Sequence, residues 1–564
     1  MKKITTLLCL LLATSIAFAQ TTYYVKTTYY VKTAADGGND ANDGLTWATA
    51  WRNIHVNPKD PAKTANGDII HIKAGEYNVT GSFDTAGRDI DFYGGFEGVS
   101  ETETVAGRPK SDLDGNGIIE PWEFTNETKL TITRNNPAID NFAAIMDGLT
   151  LAHIATDANK NMTAFDINEG GTFQNCILRG SSHTVTALNE NFDGYLATID
   201  GGSLKNSLIE ENVASMTMAG TTNRRFTPGV LLETNEADGA TIEKCIFRNN
   251  KITVNNAATG VDLKNVRGML VNCRTVNNRR EMFIANNIFH NNDATFLGNN
   301  TQPEGIRQGL VSALVFSSGN DNINITNNTF ANNKLTNVDG GVLRLIKSGE
   351  VTYQVRNNVF WNNENDRSPI SISSSATPLA GTSLQNNYAN ANRSGSWGAD
   401  LTDTGNKYDV STNNIGDIKS PHFKEPSSVI GFDDVGGSVE LSDWSMASVS
   451  SYLRAKGITV TGVTTDKDGK TYNNPPSVGA YEIHPTLSTA DISKAINDLI
   501  SLQRYGFTSK VNGTVNIFSI MGQKVQQVDV VENQFVSAPR SGLFLLQIQA
   551  KSGVTGTKKV LFTK

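Results

Sequence analysis

The stretch IANNIFHNN, residues 284–292, decides how this chain folds. An apolar residue and a polar step lead into apolar residues closed by Asn, which reads as a short strand of period two ending in a tight turn. The phrase recurs as FQNCILRGS from Phe173, LKNSLIEEN from Leu204 and IEKCIFRNN from Ile242. It returns as ITNNTFANN from Ile325, VRNNVFWNN from Val355 and LQNNYANAN from Leu384. Successive starts lie 31, 38, 42, 41, 30 and 29 residues apart, a period typical of solenoids and propellers. A second strand and a variable loop separate the phrases, as in VLLET after Gly229, MLVNC from Met269 and VLRLIK after Gly341. No stretch here carries helical periodicity long enough for an α-solenoid. Asn tolerates left-handed backbone geometry and bonds neighbouring amides, so it suits a sharp corner between strands. The expected fold is all-β: a parallel β-helix with stacked Ile, Leu, Val and Phe inside and an Asn ladder at its corners.

Composition agrees with this. The 564 residues are too many for one ordinary core, and 50 glycines with only 19% charged residues favour short strands and turns. The net charge of −7 argues against nucleic acid or an anionic membrane as partner. Lys2 and Lys3, the apolar run from Leu7 to Ile16 and Ala17-Phe18-Ala19 form a signal peptide (residues 1–19) with cleavage expected near Ala19. Cys9 lacks the small-residue context of a lipid anchor, and no later stretch approaches the roughly 20 apolar residues of a membrane span. Cys176, Cys245 and Cys273 match no metal spacing and read as buried small hydrophobes.

Several further motifs carry a resemblance: YYVKT from Tyr29, GLTWATAW from Gly44, NGDIIHIKAGEY from Asn66, FYGGFEG from Phe92, MDGLTLAH from Met146 and PSVGAYE from Pro476. In this order they resemble the right-handed parallel β-helix surface proteins of Bacteroidetes, over nearly all of residues 21–485. The resemblance implies an N-terminal module over 20–160 and coils with a closing segment over 161–485. It also implies an extracellular or outer-membrane-surface location. TTYYVK occurs twice, at 21–26 and 27–32, as after a slipped duplication that leaves one copy extra or frayed. Beyond Glu482 the pattern changes. GTVNIFSIMGQKV from Gly513, SAPRSGLFLLQIQ from Ser537 and the terminal KKVLFTK read as antiparallel strands of a small Ig-like β-sandwich over 486–564. Val515, Ile517, Phe518, Gly522, Val525, Gly542, Phe544, Leu545, Leu546, Lys559, Val560 and Lys564 resemble the C-terminal sorting domain read by the type IX secretion machinery. That family opens on an Asn-Pro strand, where this chain has ISLQRYGFTSK.

One motif carries sharp chemistry. DLDGNGIIEPWE, residues 112–123, matches a twelve-residue calcium loop. Oxygen ligands fall at Asp112, Asp114, Asn116, Glu120 and Glu123, with the carbonyl of Ile118, a turn at Gly117 and Ile119 as apolar anchor. Pro109 disfavours an entering helix, so the reading is a single structural Ca²⁺ loop with self-sufficient ligands, resembling those of dockerin-like modules.

Two functions compete. The first is a non-catalytic surface adhesin or glycan binder, with Trp361, Tyr388 and Trp397 as sugar-stacking candidates. The second is a polysaccharide lyase or glycoside hydrolase working in a β-helix groove. Hydrolysis needs paired carboxylates, and the only Asp-Asp, at Asp433-Asp434, reads as a turn. A lyase base would come from Arg224-Arg225, Arg279-Arg280 or His290. The first function is the stronger expectation; its partners would be the secretion machinery and a host or biofilm polysaccharide.

Overall fold

The computed structural model describes residues 26–483 and 499–563, apart from 84, 86, 135–138, 155–161, 169, 189–191, 219–224, 234–238, 257–264, 267–269, 276–280, 299–308, 316–320, 339, 348–350, 365–368, 375–382, 390–401, 405–406, 409–420, 436, 448–450 and 552–554. The signal peptide expected over residues 1–19 and the first TTYYV therefore lie outside it. The chain divides into two compact units, 1–483 and 484–564.

The first unit is a parallel β-helix whose register reproduces the sequence period. Phe173 pairs with Leu204, then Ile242, Ile284, Ile325, Val355 and Leu384, each the opening residue of its phrase. These strands belong to a 12-stranded face that starts at Thr28–Val31 and reaches Thr402–Thr404. The N-terminal module is thus built from the same coils, and the second YYVKT copy supplies the first strand. The second half of each phrase forms an 11-stranded face, and a five-stranded and a nine-stranded sheet complete the perimeter. The VLLET-type segments lie in the nine-stranded sheet, in strands such as Arg225–Glu233 and Val271–Thr275.

Inside, side chains of one type stack coil upon coil. Phe247, Phe289, Phe330 and Phe360 are fully buried, with parallel rings 4.6, 4.8 and 4.9 Å apart. At both ends of the second face the corner is an Asn pair. The first Asn is left-handed, as at Asn286, Asn291, Asn327, Asn332, Asn357 and Asn362. The second forms the ladder. Asn212, Asn250, Asn292, Asn333 and Asn363 are linked amide to amide at 2.8–2.9 Å. A parallel ladder runs Asn287, Asn328, Asn358, Asn387 at 2.9–3.0 Å. The remaining amide hydrogen reaches a carbonyl of the preceding coil, as from Asn292 to Phe247, so these buried amides find partners. In earlier coils Cys176, Ser207 and Cys245 occupy the corner place that Asn287 and its ladder take later. Cys176, Cys245 and Cys273 are buried and free.

The closing segment brings a correction. PSVGAYE does not end the stack of coils; residues 421–483 return along the outer side of the second face. Gly479 donates to the Asn357 carbonyl and Ala480 to Thr329 Oγ1, while Asn249 and Asn291 reach Asp433 and Val429. Ile177, Leu208, Ile246 and Ile288 of the coils pack there under Trp122, Trp444 and Tyr481. Outward Ile in a half-covered strand needs such a roof.

The second unit holds a three-stranded and a four-stranded antiparallel sheet around its own core of Phe507, Val515, Ile517, Phe544, Leu546 and Ile548. ISLQRYGFTSK forms a hairpin, Ile500–Gln503 with Gly506–Ser509.

Candidate metal loop and its seam with the coils

The 112–123 loop leaves the first unit between strands Asp91–Phe96 and Thr128–Ile132. Its base is extended rather than helical: Lys110 bridges Phe124 in antiparallel fashion, as Pro109 requires. Arg108 pins the entry, buried against Asp147 at 2.7 Å and over the Phe124 ring at 4.4 Å.

Within the loop, side-chain oxygens turn inward onto the backbone. Asp112 accepts from the amides of Gly115 and Gly117 at 2.8 and 2.9 Å. Asn116 Oδ1 accepts from Ile118 at 2.7 Å. Glu123 accepts from Leu113, Asp114 and Glu120 at 2.9, 3.3 and 2.8 Å. Gly115 and Gly117 stand at φ +78° and +82°, where a Cβ is strained. The outcome is that ligand oxygens of Asp112, Asp114 and Glu123 lie within 4.8 Å of one another, an oxygen-only set of the kind hard cations prefer.

Two expectations about the loop are corrected. Ile119 is 58% exposed and anchors nothing; Trp122, three residues on, is the loop's buried apolar residue. Nor are the ligands self-sufficient. Arg248 reaches Asp114 at 3.2 Å and Glu210 at 2.6 Å, and Arg179 shares Glu210. Burial alone would raise the Glu210 carboxyl, but Arg248 and Arg179 outweigh it and hold it low. Glu120 lies 3.9 Å from Lys467 of the returning segment. Burial pushes its carboxyl up to about 7, Lys467 opposes this, and Glu123 and Asp114 add to it. A cavity of about 140 Å³ beside the loop is lined by Asp114, Trp122, Glu123, Arg179 and Arg248.

His290 is 1% exposed, beneath Trp444 with ring centres 5.5 Å apart and in hydrogen-bond contact with Asn291 Oδ1 at 2.9 Å. Burial lowers its pKa to about 3, so it is held neutral, away from solvent. Asp433 donates its amide to Asn249 Oδ1 and takes Val435 and Ser438 on its carboxylate, the pattern of a turn. Arg224, Arg279, Arg280 and Trp397 lie outside the described residues, and Arg225 sits in the strand Arg225–Glu233. Trp361 and Tyr388 stack on each other; Tyr388 is buried against Tyr452 of the returning segment, and half-buried Trp361 meets Phe423 edge-on.

A feature with a clear sequence signal was missed. After each second corner comes a residue triplet ending in a hydroxyl: Ser182-His183-Thr184, Val213-Ala214-Ser215, Lys251-Ile252-Thr253, Asp293-Ala294-Thr295 and Lys334-Leu335-Thr336. In the five-stranded sheet Thr184, Ser215, Thr253, Thr295 and Thr336 stand in register. All five are at least partly exposed, while the middle residue of each triplet turns inward.

No family model and no curated protein matches this chain. Among the described residues no helix is long and apolar enough to cross a membrane.

Proposed function

We propose that this protein is a secreted or cell-surface β-helix that binds an extended polysaccharide without cutting it. One observation carries the reading: the in-register rank of Thr184, Ser215, Thr253, Thr295 and Thr336 on the five-stranded sheet. Hydroxyls repeat there at the strand spacing of about 4.8 Å, which offers a polar polymer a regular series of donors and acceptors. Thr217 and Asn255 pair alongside and widen the rank. Among the described residues, the returning segment meets this face along its leading edge, where Phe432 covers Lys251 and Gly431 packs on Lys334. Buried ladders make the sheet rigid, so little order is lost on binding.

The candidates for catalysis support the same side. His290 is spent beneath Trp444 and Asp433 in a turn, while Trp361 and Tyr388, packed against the returning segment, leave sugar contact to the hydroxyl rank. Export is read from the second unit as an Ig-like sorting domain for type IX secretion, supported by its antiparallel sheets and the motif resemblance. The test is co-sedimentation with neutral and uronate-containing polysaccharides. Binding is expected, and Thr253→Val with Thr295→Val should weaken it at unchanged melting temperature. Cleavage of any of these polymers, seen as unsaturated or reducing ends, favours the lyase or hydrolase instead.

A further inference from the structure

We infer that residues 112–123 bind one Ca²⁺ and that the ion works as a latch, fastening the returning segment 421–483 onto the coils. This stands apart from the polysaccharide reading and rests on different residues.

The first observation is the crowding of charge. Oxygens of Asp112, Asp114 and Glu123 approach within 4.8 Å, and Arg248 is the protein cation that meets one of them, at Asp114. Backbone amides satisfy Glu123, which is buried. Amides align carboxylates but do not neutralise them.

The second observation is independent and concerns Glu120, the ninth place of the loop. Glu120 is 5% exposed, and its Oε2 has no hydrogen-bond partner. Its Oε1 is 3.9 Å from Lys467, too far for a hydrogen bond. A buried carboxylate oxygen without a donor is unfavourable unless the group takes up a proton or a cation or cation-bound water meets it. Its own amide donates to Glu123 Oε2, which places the Glu120 backbone against the carboxylate cluster, and the charges of Glu123 and Asp114 act on its carboxyl. The donor set is oxygen throughout, on a flexible turn with two left-handed glycines. That favours Ca²⁺ over Mg²⁺, which demands a tight octahedron, and over metals that prefer nitrogen or sulfur.

The latch follows from what stands behind each ligand. Arg248, bound to Asp114, also donates to the Glu440 carbonyl at 3.1 Å. Lys467, beside Glu120, lies 5.4 Å from the Trp122 ring and 5.6 Å from the Tyr481 ring. Trp122 packs with Trp444 and Tyr481 over Ile177 and Leu208. Without an ion, mutual repulsion among the carboxylates pushes apart the loop that holds these residues; with one, loop, coils and returning segment close together.

The experiment uses the full chain after removal of divalent ions, titrated with CaCl₂ or MgCl₂ in a calorimeter, with hydrogen exchange followed on both forms. The expected result is one Ca²⁺ site tighter than about 1 mM, the weak end for extracellular modules, and at least tenfold weaker for Mg²⁺. Amides of 431–483 should exchange at least tenfold more slowly with Ca²⁺, while those of the second unit stay unchanged. Asp112→Asn keeps an oxygen for Gly115 and gives up the exposed bond from Gly117, so it should still fold yet lose both responses; Glu120→Gln should weaken binding while leaving the ion-free protein at least as stable. No Ca²⁺ binding at 1 mM overturns the site, equal Mg²⁺ affinity overturns the ion, and binding without slower exchange in 431–483 overturns the latch.

Discussion

Removing one rung of the corner ladder tests whether the buried Asn residues hold the coils together. Asn292 is 1% exposed and sits mid-ladder. Its Nδ2 donates to Asn333 Oδ1 and to the Phe247 carbonyl, each at 2.9 Å. Its Oδ1 accepts the Asn250 backbone amide at 3.2 Å and the Asn250 side-chain amide at 2.9 Å. In Asn292→Ala, Asn250 Nδ2 keeps the Ile209 carbonyl and Asn333 Oδ1 keeps the Asn292 backbone amide. The Asn250 backbone amide loses the partner described here, and the Phe247 carbonyl loses its side-chain donor. Two under-satisfied buried groups at about 1–3 kcal/mol each predict a loss of about 2–6 kcal/mol. At the far end of the ladder Asn363 makes similar bonds but is partly exposed, so water takes over and Asn363→Ala should lose only about 1 kcal/mol. Urea denaturation read by circular dichroism gives both values, and hydrogen exchange reports which coils open. Equal losses, or less than about 1 kcal/mol at Asn292, would refute the ladder as a source of stability.

Other consequences can be measured on the same preparation. Burial lowers the pKa of His71 and His183 to about 4 and of His290 to about 3. The unfolded chain protonates near 6.5, so the stability these residues support is complete above that pH and lost as pH falls toward their folded values. Near pH 5 each has forfeited about 2 kcal/mol; His290→Phe should remove one such share from the slope, and an unchanged slope contradicts its burial. Arg248→Met leaves Glu210 buried with Arg179 alone and should destabilise by about 3–5 kcal/mol in denaturant titration. Glu210→Gln in that background should recover part of the loss. Burial pushes the Cys176 and Cys245 thiols up to about 12 and raises Cys273 as well, so a thiol reagent at pH 8 should label all three in urea and none in the native protein.

The coils were legible because their signal is local and repeated. Each Asn phrase marks a strand, a left-handed corner and a ladder place at once, and the spacing of phrase openings became the register from Phe173 to Leu384. The 112–123 loop was legible as a turn that gathers Asp112, Asp114 and Glu123, because that signal too is local. What a linear pattern does not carry is which distant segment covers an outward face. Nothing near Lys467 announces Trp122 or Glu120, so the roof went unread, and with it the burial of His290 and Tyr388 and the partial cover of Trp361. The exposure of Ile119 belongs to the same class: the loop's apolar anchor is chosen by the surface it meets, and Trp122 meets Ile177 and Leu208. The Thr/Ser rank was written in the triplets after the corners, but its weight appears only once five strands align.

The most direct test of the account is incubation of the full chain with polysaccharides of known length, followed by both co-sedimentation and product analysis. The account predicts a polymer that is retained by the protein, keeps its length, and is released when Thr253 and Thr295 are both replaced by Val. Shortened chains with new unsaturated or reducing ends, or retention that ignores the double replacement, would contradict it.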